Sequence, residues 1–326
     1  MFRLLRHLSA LGISSILFTH SHATPITTNV GGIFDVNFYN NGDSVACGLL
    51  GTYTSDKDWT QEQMNSLTRA LETWDAIIDN TPGRNMTVSV FWQNQGAGYL
   101  ASATSSNKFT MGLGGETPSY VERIWKGGET ISTTAKEPDI IIVCNSYNYN
   151  NYYYGEATTG VGSFSYDFQT IMSHELGHAI GFKSLFNTEN SDGTYAPFID
   201  GNGASHYTPF DALMVNEAGD SLIESKNLTL GETIYLKGTD LTVFNPSAWM
   251  SGSSLAHIDD PDALMYFTVP YNGFMRNPTE SELELLSVMG WDINPAYLSV
   301  PEPSSTSLLL IGCGLLLYRR NRTSSK

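Results

Sequence analysis

Two histidines and a glutamate within five consecutive residues are the part of the sequence best suited to chemistry. The segment reads His174-Glu175-Leu176-Gly177-His178. In a helix, His174 and His178 lie one turn apart on the same face and can present two imidazoles to one tetrahedral Zn²⁺. Glu175 then lies beside the open coordination position, where it can take a proton from water that attacks a metal-polarised carbonyl. The alternative is a chance occurrence of three residue types, so the surrounding sequence matters.

The residues around this motif predict a helix over 167–180. Phe168, Ile171, Met172 and Leu176 recur at three- and four-residue steps, as the apolar face of a helix does. Gly181 is placed to end the helix and to let the chain turn sharply beneath a metal site.

A zinc site of this kind needs a third protein ligand, and two histidines are available for it. Three others are expected to leave with a signal peptide: His7, His20 and His22. His206 and His257 remain, and each is followed eight residues later by a methionine, Met214 or Met265. Local spacing therefore does not choose between them.

Several downstream segments resemble those of the leishmanolysin-like metzincins and related secreted bacterial metalloproteases. They are Phe182 after the glycine, Gly252-Ser253-Ser254-Leu255-Ala256-His257, Ala263-Leu264-Met265-Tyr266, and Ser281-Glu282-Leu283-Glu284-Leu285-Leu286-Ser287-Val288-Met289-Gly290-Trp291. The resemblance covers about residues 164–291. Ser184 stands where the compact metzincin motif has its third histidine, so the resemblance is to the version with a distant third histidine.

This resemblance implies an α+β fold, namely a metzincin-like zincin catalytic domain with an active-site helix, an irregular C-terminal half and a closing C-terminal helix. It implies that His174, His178 and His257 bind Zn²⁺ and that Glu175 is the general base. It also implies that Met265 forms the hydrophobic floor of the site.

The order of segments favours His257 over His206 as the third ligand. In the resembled family the methionine turn leads within one loop to the last helix, and Met265 leads in this way to a helix capped at Thr279. Tyr266 is a weaker candidate for stabilising an oxyanion, because catalytic tyrosines in relatives come two residues after the methionine.

Both ends of the chain have the features of address signals. Residues 1–23 contain Arg3 and Arg6, then an apolar run, then small residues before a possible cleavage site, which is the order found in a secretory signal peptide. Residues 299–326 contain Pro301-Glu302-Pro303, an apolar run over 308–318 and a basic end, which resembles the PEP-CTERM sorting signal and implies removal by exosortase-type machinery. That run is too short to span a bilayer, so we expect an extracellular or cell-surface protein of a Gram-negative bacterium that contacts the membrane only transiently through the tail.

Composition limits the partners of the folded part. The chain has 326 residues, of which 41% are hydrophobic, enough to bury a sizeable core. A formal net charge of −16, with six of the 17 basic residues at the two ends, argues against nucleic acid and anionic membrane as partners of the folded part. A protein or peptide substrate is what the resemblance to metalloproteases implies. Cys47 and Cys144 remain after processing, and they are equally compatible with one disulfide and with two buried thiols.

The metalloprotease domain is expected over 24–298, with an N-terminal half over 24–181 and a C-terminal half over 182–298. The first half predicts strands over 33–38, 85–92 and 138–144, a helix over 59–78, and an exposed Tyr/Asn loop over 146–154. The second half predicts short strands over 233–236 and 241–244. Thr279 and Glu282 form a capping box for a last helix that Gly290 closes.

Asp200-Gly201-Asn202-Gly203 fits a Gly-rich turn better than a Ca²⁺ site, because too few carboxylates follow.

Three functions compete. The leading hypothesis is a secreted zinc-dependent endopeptidase, and the second is an extracellular surface or biofilm-matrix binding protein with a structural metal site. Glu175 separates them, because a structural zinc is normally closed by a fourth protein ligand and has no use for a carboxylate at an open position. The third is a zinc hydrolase with a carboxylate ligand from Glu189, Asp192 or Asp200, none of which has well-matched spacing.

Overall fold

The computed structural model describes residues 24–46, 51–105, 113–131, 138–159, 166–187, 196–225 and 228–298. The expected signal peptide over 1–23 and sorting tail over 299–326 lie outside these residues, as do Cys47, Glu189 and Asp192. Helices and strands are intermixed along the chain, so the predicted α+β class is confirmed at that level.

The strands, in chain order, are β1 (Ile26–Val30), β2 (Phe34–Phe38), β3 (Ser44–Ala46), β4 (Thr52–Thr54), β5 (Met86–Gln93), β6 (Ala101–Ser105), β7 (Gly115–Glu116), β8 (Ile140–Asn145), β9 (Tyr152–Tyr153), β10 (Tyr166–Asp167), β11 (Phe186–Asn187), β12 (Ala196–Ile199), β13 (Ser205–Tyr207), β14 (Met214–Val215), β15 (Ile234–Leu236) and β16 (Thr242–Val243). The α-helices are α1 (Gln61–Ile77), α2 (Phe168–Ile180), α3 (Leu222–Ser225) and α4 (Glu280–Val288). A π-helix covers Glu122–Lys126, and 3₁₀ helices cover Ser146–Asn151 and Asp211–Leu213.

A five-stranded sheet in the order β1-β2-β5-β8-β6 supports the N-terminal half. Strands β2, β5 and β8 are parallel, whereas β1 and β6 run antiparallel to their neighbours and form the two edges. The central strand β8 is buried along its whole length, as its run of isoleucine and valine predicts. The sheet thus has a buried centre, and β6 lies at one of its edges.

Helices α1 and α2 pack together on one face of this sheet. Their apolar side chains share one hydrophobic core with alternate residues of the strands, including Val88, Val90 and Ile142. The Trp74 indole of α1 donates to the carbonyl oxygen of Ser173 in α2 over 3.0 Å. The opposite face of the sheet carries a smaller cluster around Phe91, against which the β3–β4 hairpin packs.

The C-terminal half contributes to the same core through short pieces. A three-stranded antiparallel sheet of β14, β15 and β16 is followed by long irregular segments and then by α4. Apolar residues of α4, among them Leu283 and Leu286, pack in the core that holds α1 and α2. No helix among the described residues is both long enough and apolar enough to cross a membrane.

The Tyr/Asn stretch over 146–154 is not the exposed loop that its composition predicts. It forms the 3₁₀ helix Ser146–Asn151 and strand β9, and Tyr152 is buried with its ring centroid 5.5 Å from that of Phe168. The Tyr152 hydroxyl donates to the carbonyl oxygen of Leu100 over 2.6 Å. Buried rings with satisfied hydroxyls explain the difference, because tyrosine can join a core when its polar end finds a partner.

Cys144 is a free thiol at the buried end of β8. Its Sγ lies 3.8 Å from Sδ of Met172, and burial raises the pKa of the thiol well above its ordinary value. Of the two alternatives for the cysteines, the structure thus assigns Cys144 to a buried thiol.

Candidate metal centre

Helix α2 carries the first three candidate residues, and its N-terminus is firmly anchored. Asp167 caps the helix by accepting a hydrogen bond from the backbone N–H of Thr170 over 2.9 Å. The same carboxylate pairs with the guanidinium of Arg276 at 2.7 Å. Arg276 also donates to the carbonyl oxygens of Gly155 and Glu156. The helix start is therefore fixed to segments before and after it in the chain.

Gly181 ends α2 as the sequence predicts. Its φ is 153°, and its N–H donates to the carbonyl oxygen of Gly177 over 3.1 Å. This positive φ favours glycine, and a Cβ here would also lie 2.8 Å from the terminal methyl group of Met289, which would have to shift. The turn brings the carbonyl oxygen of Phe182 to within 2.6 Å of Nδ1 of His178.

The structure brings His257 to the two histidines of α2. Nε2 of His257 lies 3.2 Å from Nε2 of His174, and one ligand nitrogen from each of His174, His178 and His257 lies within 4.8 Å of the others. Two nitrogens of a tetrahedral zinc site with bonds of about 2.0–2.1 Å are about 3.3 Å apart. The pair of His174 and His257 therefore already has the spacing of two zinc ligands, and His178 is close enough to complete a three-histidine site.

Each of these imidazoles is oriented by a backbone carbonyl. Nδ1 of His174 donates to Leu264 over 2.7 Å, Nδ1 of His178 to Phe182 over 2.6 Å, and Nδ1 of His257 to Ser253 over 2.8 Å. A carbonyl oxygen only accepts, so Nδ1 carries the proton in every ring. The Nε2 lone pairs are thereby left for a metal, which is the second-shell arrangement typical of histidine ligands.

Burial sets the charge states at the site. It lowers the pKa of His174 and lowers that of His178 well below its ordinary value. Burial and the neighbouring His174 lower the pKa of His257 to about 3. Burial also raises the pKa of Glu175 to about 8, against the effect of a hydrogen bond from the backbone N–H of Ala103. The histidines are consequently neutral, as metal ligands must be.

The histidines and Glu175 line a cleft with a volume of about 600 Å³. One wall is the edge strand β6, whose Ala103 N–H points at Glu175. Residues after Met265, including Tyr266 and Tyr271, also line the cleft. Residues from both halves of the chain therefore line the cleft beside the three imidazoles.

Met265 lies directly beneath the motif helix. A Cβ added to Gly177 would come within 2.3 Å of Met265 Sδ, so the thioether fills the space that the missing side chain leaves. Met265 is fully buried, which agrees with the floor position that the family resemblance implies. Tyr266, the next residue, lies in the cleft wall.

His206 lies in a different environment. It is buried in β13, where its Nε2 is 3.1 Å from Oδ2 of Asp200 and its Nδ1 is 3.1 Å from Oγ1 of Thr117. Asp200 also accepts backbone N–H bonds from Asn202 and Ala204, so it closes the Gly-rich turn that its sequence favours. Neither His206 nor Asp200 is part of the histidine cluster.

Sequence reasoning missed two parts of the site. Strand β6 has the sequence Ala-Ser-Ala-Thr-Ser and shows no apolar alternation, so nothing marked it as a cleft wall. Glu282 was predicted as a helix-capping residue, but it also accepts backbone N–H bonds from Leu264 and Met265. The only available signal for this second role was that a capping glutamate stands shortly after the methionine segment.

Comparison with known proteins supports a peptidase function. A family model described as Peptidase M66 matches residues 123–215, less than a third of the chain. The matched region includes His174, Glu175 and His178 and ends before His257 and Met265. No curated protein matches the chain. The match supports a metallopeptidase function and leaves the finer assignment to the geometry of the site.

Proposed function

We propose that the protein is a secreted zinc-dependent endopeptidase of metzincin type that hydrolyses peptide bonds in a protein or peptide substrate. The observation that carries the proposal is the convergence of three Nε2 atoms from His174, His178 and His257 beside Glu175 in one cleft. Each imidazole is already held in the tautomer that a metal needs. The histidines would hold the ion, and Met265 would support the helix from below.

Glu175 has the position of a general base. When bound, zinc would supply Lewis-acid polarisation of the scissile carbonyl and acidify water. Burial alone raises the pKa of Glu175, but beside a bound cation its ionised form would be favoured. The carboxylate would then accept the proton of the attacking water and return it to the leaving amine nitrogen. Its neighbour Ala103 presents a backbone N–H to the same space, which would help to hold the carboxylate in place.

The edge strand β6 is suited to bind the substrate main chain. It pairs with β8 on one side only, and its other side faces the cleft. An extended peptide can pair with the outward backbone groups of such an edge, which gives affinity with little dependence on side-chain sequence. This favours an endopeptidase over a hydrolase of small molecules.

A structural metal site in a binding protein is less well supported. Among the described residues, the cluster of potential ligands contains three histidines and no fourth Cys, Asp or Glu. Structural zinc is normally closed by four protein ligands, whereas catalytic zinc keeps one position open. Glu175, beside that open position, has a role only in the enzyme.

Export is the part of the proposal that rests on sequence alone. A signal peptide over 1–23 would direct the chain out of the cytoplasm, and a PEP-CTERM tail over 299–326 would present it to exosortase-type machinery. The folded enzyme would then act in the extracellular space or at the cell surface of a Gram-negative bacterium.

Metal analysis and a protease assay, on the wild type and on Glu175→Gln, test the proposal that the protein is a zinc endopeptidase. We expect the wild type to contain one zinc per chain and to digest unfolded casein, with activity lost on adding phenanthroline. Glu175→Gln should keep its zinc and lose about 10²–10⁴ in turnover, because the proton acceptor is gone. Glu284→Gln, an exposed glutamate of α4, is the matched control and should behave as wild type. Wild-type digestion by Glu175→Gln would refute the role of Glu175 as the base.

A further inference from the structure

One buried carboxylate joins the last helix to the segment beneath the metal centre. Glu282 is the third residue of α4 and its side chain is fully buried. Its Oε2 accepts hydrogen bonds from the backbone N–H of Thr279 over 2.7 Å and from the Thr279 hydroxyl over 2.9 Å. These bonds form one half of the capping box and account for only part of what the carboxylate binds.

Both oxygens of the carboxylate also bind the segment around Met265. The backbone N–H of Leu264 donates to Oε2 over 3.0 Å, and the backbone N–H of Met265 donates to Oε1 over 2.7 Å. Hydrogen bonds to an ionised acceptor are roughly twice as strong as neutral ones. Glu282 therefore fixes two successive backbone units of a segment that is otherwise irregular.

Those two backbone units contact both ends of the candidate ligand set. The carbonyl oxygen of Leu264 accepts the Nδ1 proton of His174 over 2.7 Å. The carbonyl oxygen of Met265 accepts the N–H of Ile258, the residue after His257, over 2.9 Å. A shift of this segment would rotate the imidazole of His174 and displace the chain at His257 together.

We propose that Glu282 is a positioning residue for the metal centre: by holding the Leu264–Met265 backbone it orients His174 and His257 and so raises the affinity for zinc. The inference rests on the proposed zinc site and adds to it a residue that touches neither metal nor substrate. It also explains why a buried glutamate stands at this capping position, where an exposed one would suffice for the helix alone.

The chemistry of the contacts makes glutamine a sharp test. Both oxygens of Glu282 accept hydrogen bonds from N–H donors. A glutamine side chain has only one oxygen, so its NH₂ group must face one of these donors and cannot accept the bond. The less costly orientation turns the amide nitrogen toward Met265, because Oε1 has one donor there and Oε2 has three. Glu282→Gln thus loses the bond to Met265 and retains most of the cap. Thr279→Val is the matched control, because it loses the capping hydroxyl and keeps both bonds to the methionine segment.

The experiment measures zinc affinity by competition with a chromogenic chelator, on purified wild type and both variants. We expect Glu282→Gln to bind zinc ten- to a hundredfold more weakly, the usual effect of losing a partner that orients a metal ligand. Thr279→Val should stay within about threefold of wild type, although both variants weaken the start of α4. Unchanged affinity in Glu282→Gln, or an equal loss in Thr279→Val, would overturn the inference.

The outcomes separate this inference from the proposed function. A wild type that binds no zinc would overturn both, whereas tight wild-type binding with an unaffected Glu282→Gln would overturn the role of Glu282 alone. If Glu282→Gln does not fold, amide hydrogen exchange in wild type and Thr279→Val decides. We expect the Leu264 and Met265 amides to be protected in both proteins and to exchange more slowly still when zinc is added. If the exchange rates of these two amides did not change on adding zinc, the proposal would be wrong.

Discussion

Replacing Gly177 by alanine would place a methyl group against the thioether beneath the metal centre. The new Cβ would lie 2.3 Å from Sδ and 3.2 Å from Cε of Met265. Atoms in ordinary contact are about 3.5–4.0 Å apart, so either the thioether or the helix must move by more than 1 Å. Met265 is fully buried, which leaves its side chain little room to move away. Because Gly177 stands between Glu175 and His178, displacement of the helix would disturb the ligand set directly.

The magnitude follows from two opposing effects. Alanine favours a helix over glycine by about 1 kcal/mol, which would stabilise α2. Overpacking of a filled core costs about 1–3 kcal/mol. The net loss in the free energy of unfolding should therefore be only about 0–2 kcal/mol, while zinc affinity should fall more clearly. A protein that folds well and binds zinc poorly is the expected phenotype.

A double-mutant cycle with Met265→Ala isolates the contact. Met265→Ala alone should cost about 2–5 kcal/mol, as deletion of a buried methionine does. In the Gly177→Ala background the same substitution relieves the overlap, so it should cost about 1–3 kcal/mol less. The assay is denaturant unfolding of the metal-free proteins. Gly201→Ala, where a Cβ meets no atom within 4 Å, serves as the control. Additivity of the Gly177 and Met265 effects within about 0.5 kcal/mol would refute the reasoning.

Two further predictions concern the third ligand and the tail. His257→Ala should release zinc because it removes one of three ligands. His206→Ala should keep wild-type stoichiometry and lose folding stability, because it removes the buried imidazole that contacts Asp200 and Thr117. Metal analysis with thermal unfolding checks both variants, and the reverse pattern would move the site to His206. A chain that ends at Leu298 should fold, bind zinc and digest casein as the longer chain does, because Pro301 and Pro303 separate the apolar run of the tail from the domain. Failure of the shorter chain to fold would contradict this prediction.

Local signals in the sequence were sufficient for the elements that carry the motif. Helices α2 and α4 have regular apolar spacing, α4 also has a capping box at Thr279, and both helices occur where these features predict them. The pairing of His174 with His178 follows from helix geometry alone. Signals of this kind act within one or two turns of chain, so they need no knowledge of the tertiary fold.

The remaining parts of the site depend on contacts between distant segments. The choice between His206 and His257 could not be made from spacing, and it required the order of segments in a resembled family. The carbonyl oxygens that orient the imidazoles leave no trace in the sequence, because every residue has one. Strand β6 exists because Ala101–Ser105 pairs with β8, and its small and polar residues have no strand pattern of their own.

The distance along the chain between the candidate ligands links zinc content to the integrity of the whole domain. His178 and His257 are about 80 residues apart. Bringing the ends of such a segment together from an unfolded chain costs about 4 kcal/mol in closure entropy, which the folded domain supplies before any ion arrives. A copy whose C-terminal half is misfolded or clipped retains only the two imidazoles of α2, which hold zinc weakly. Hydrolytic activity would then be confined to intact copies. A damaged copy would lose its zinc and its activity without a separate inhibitor.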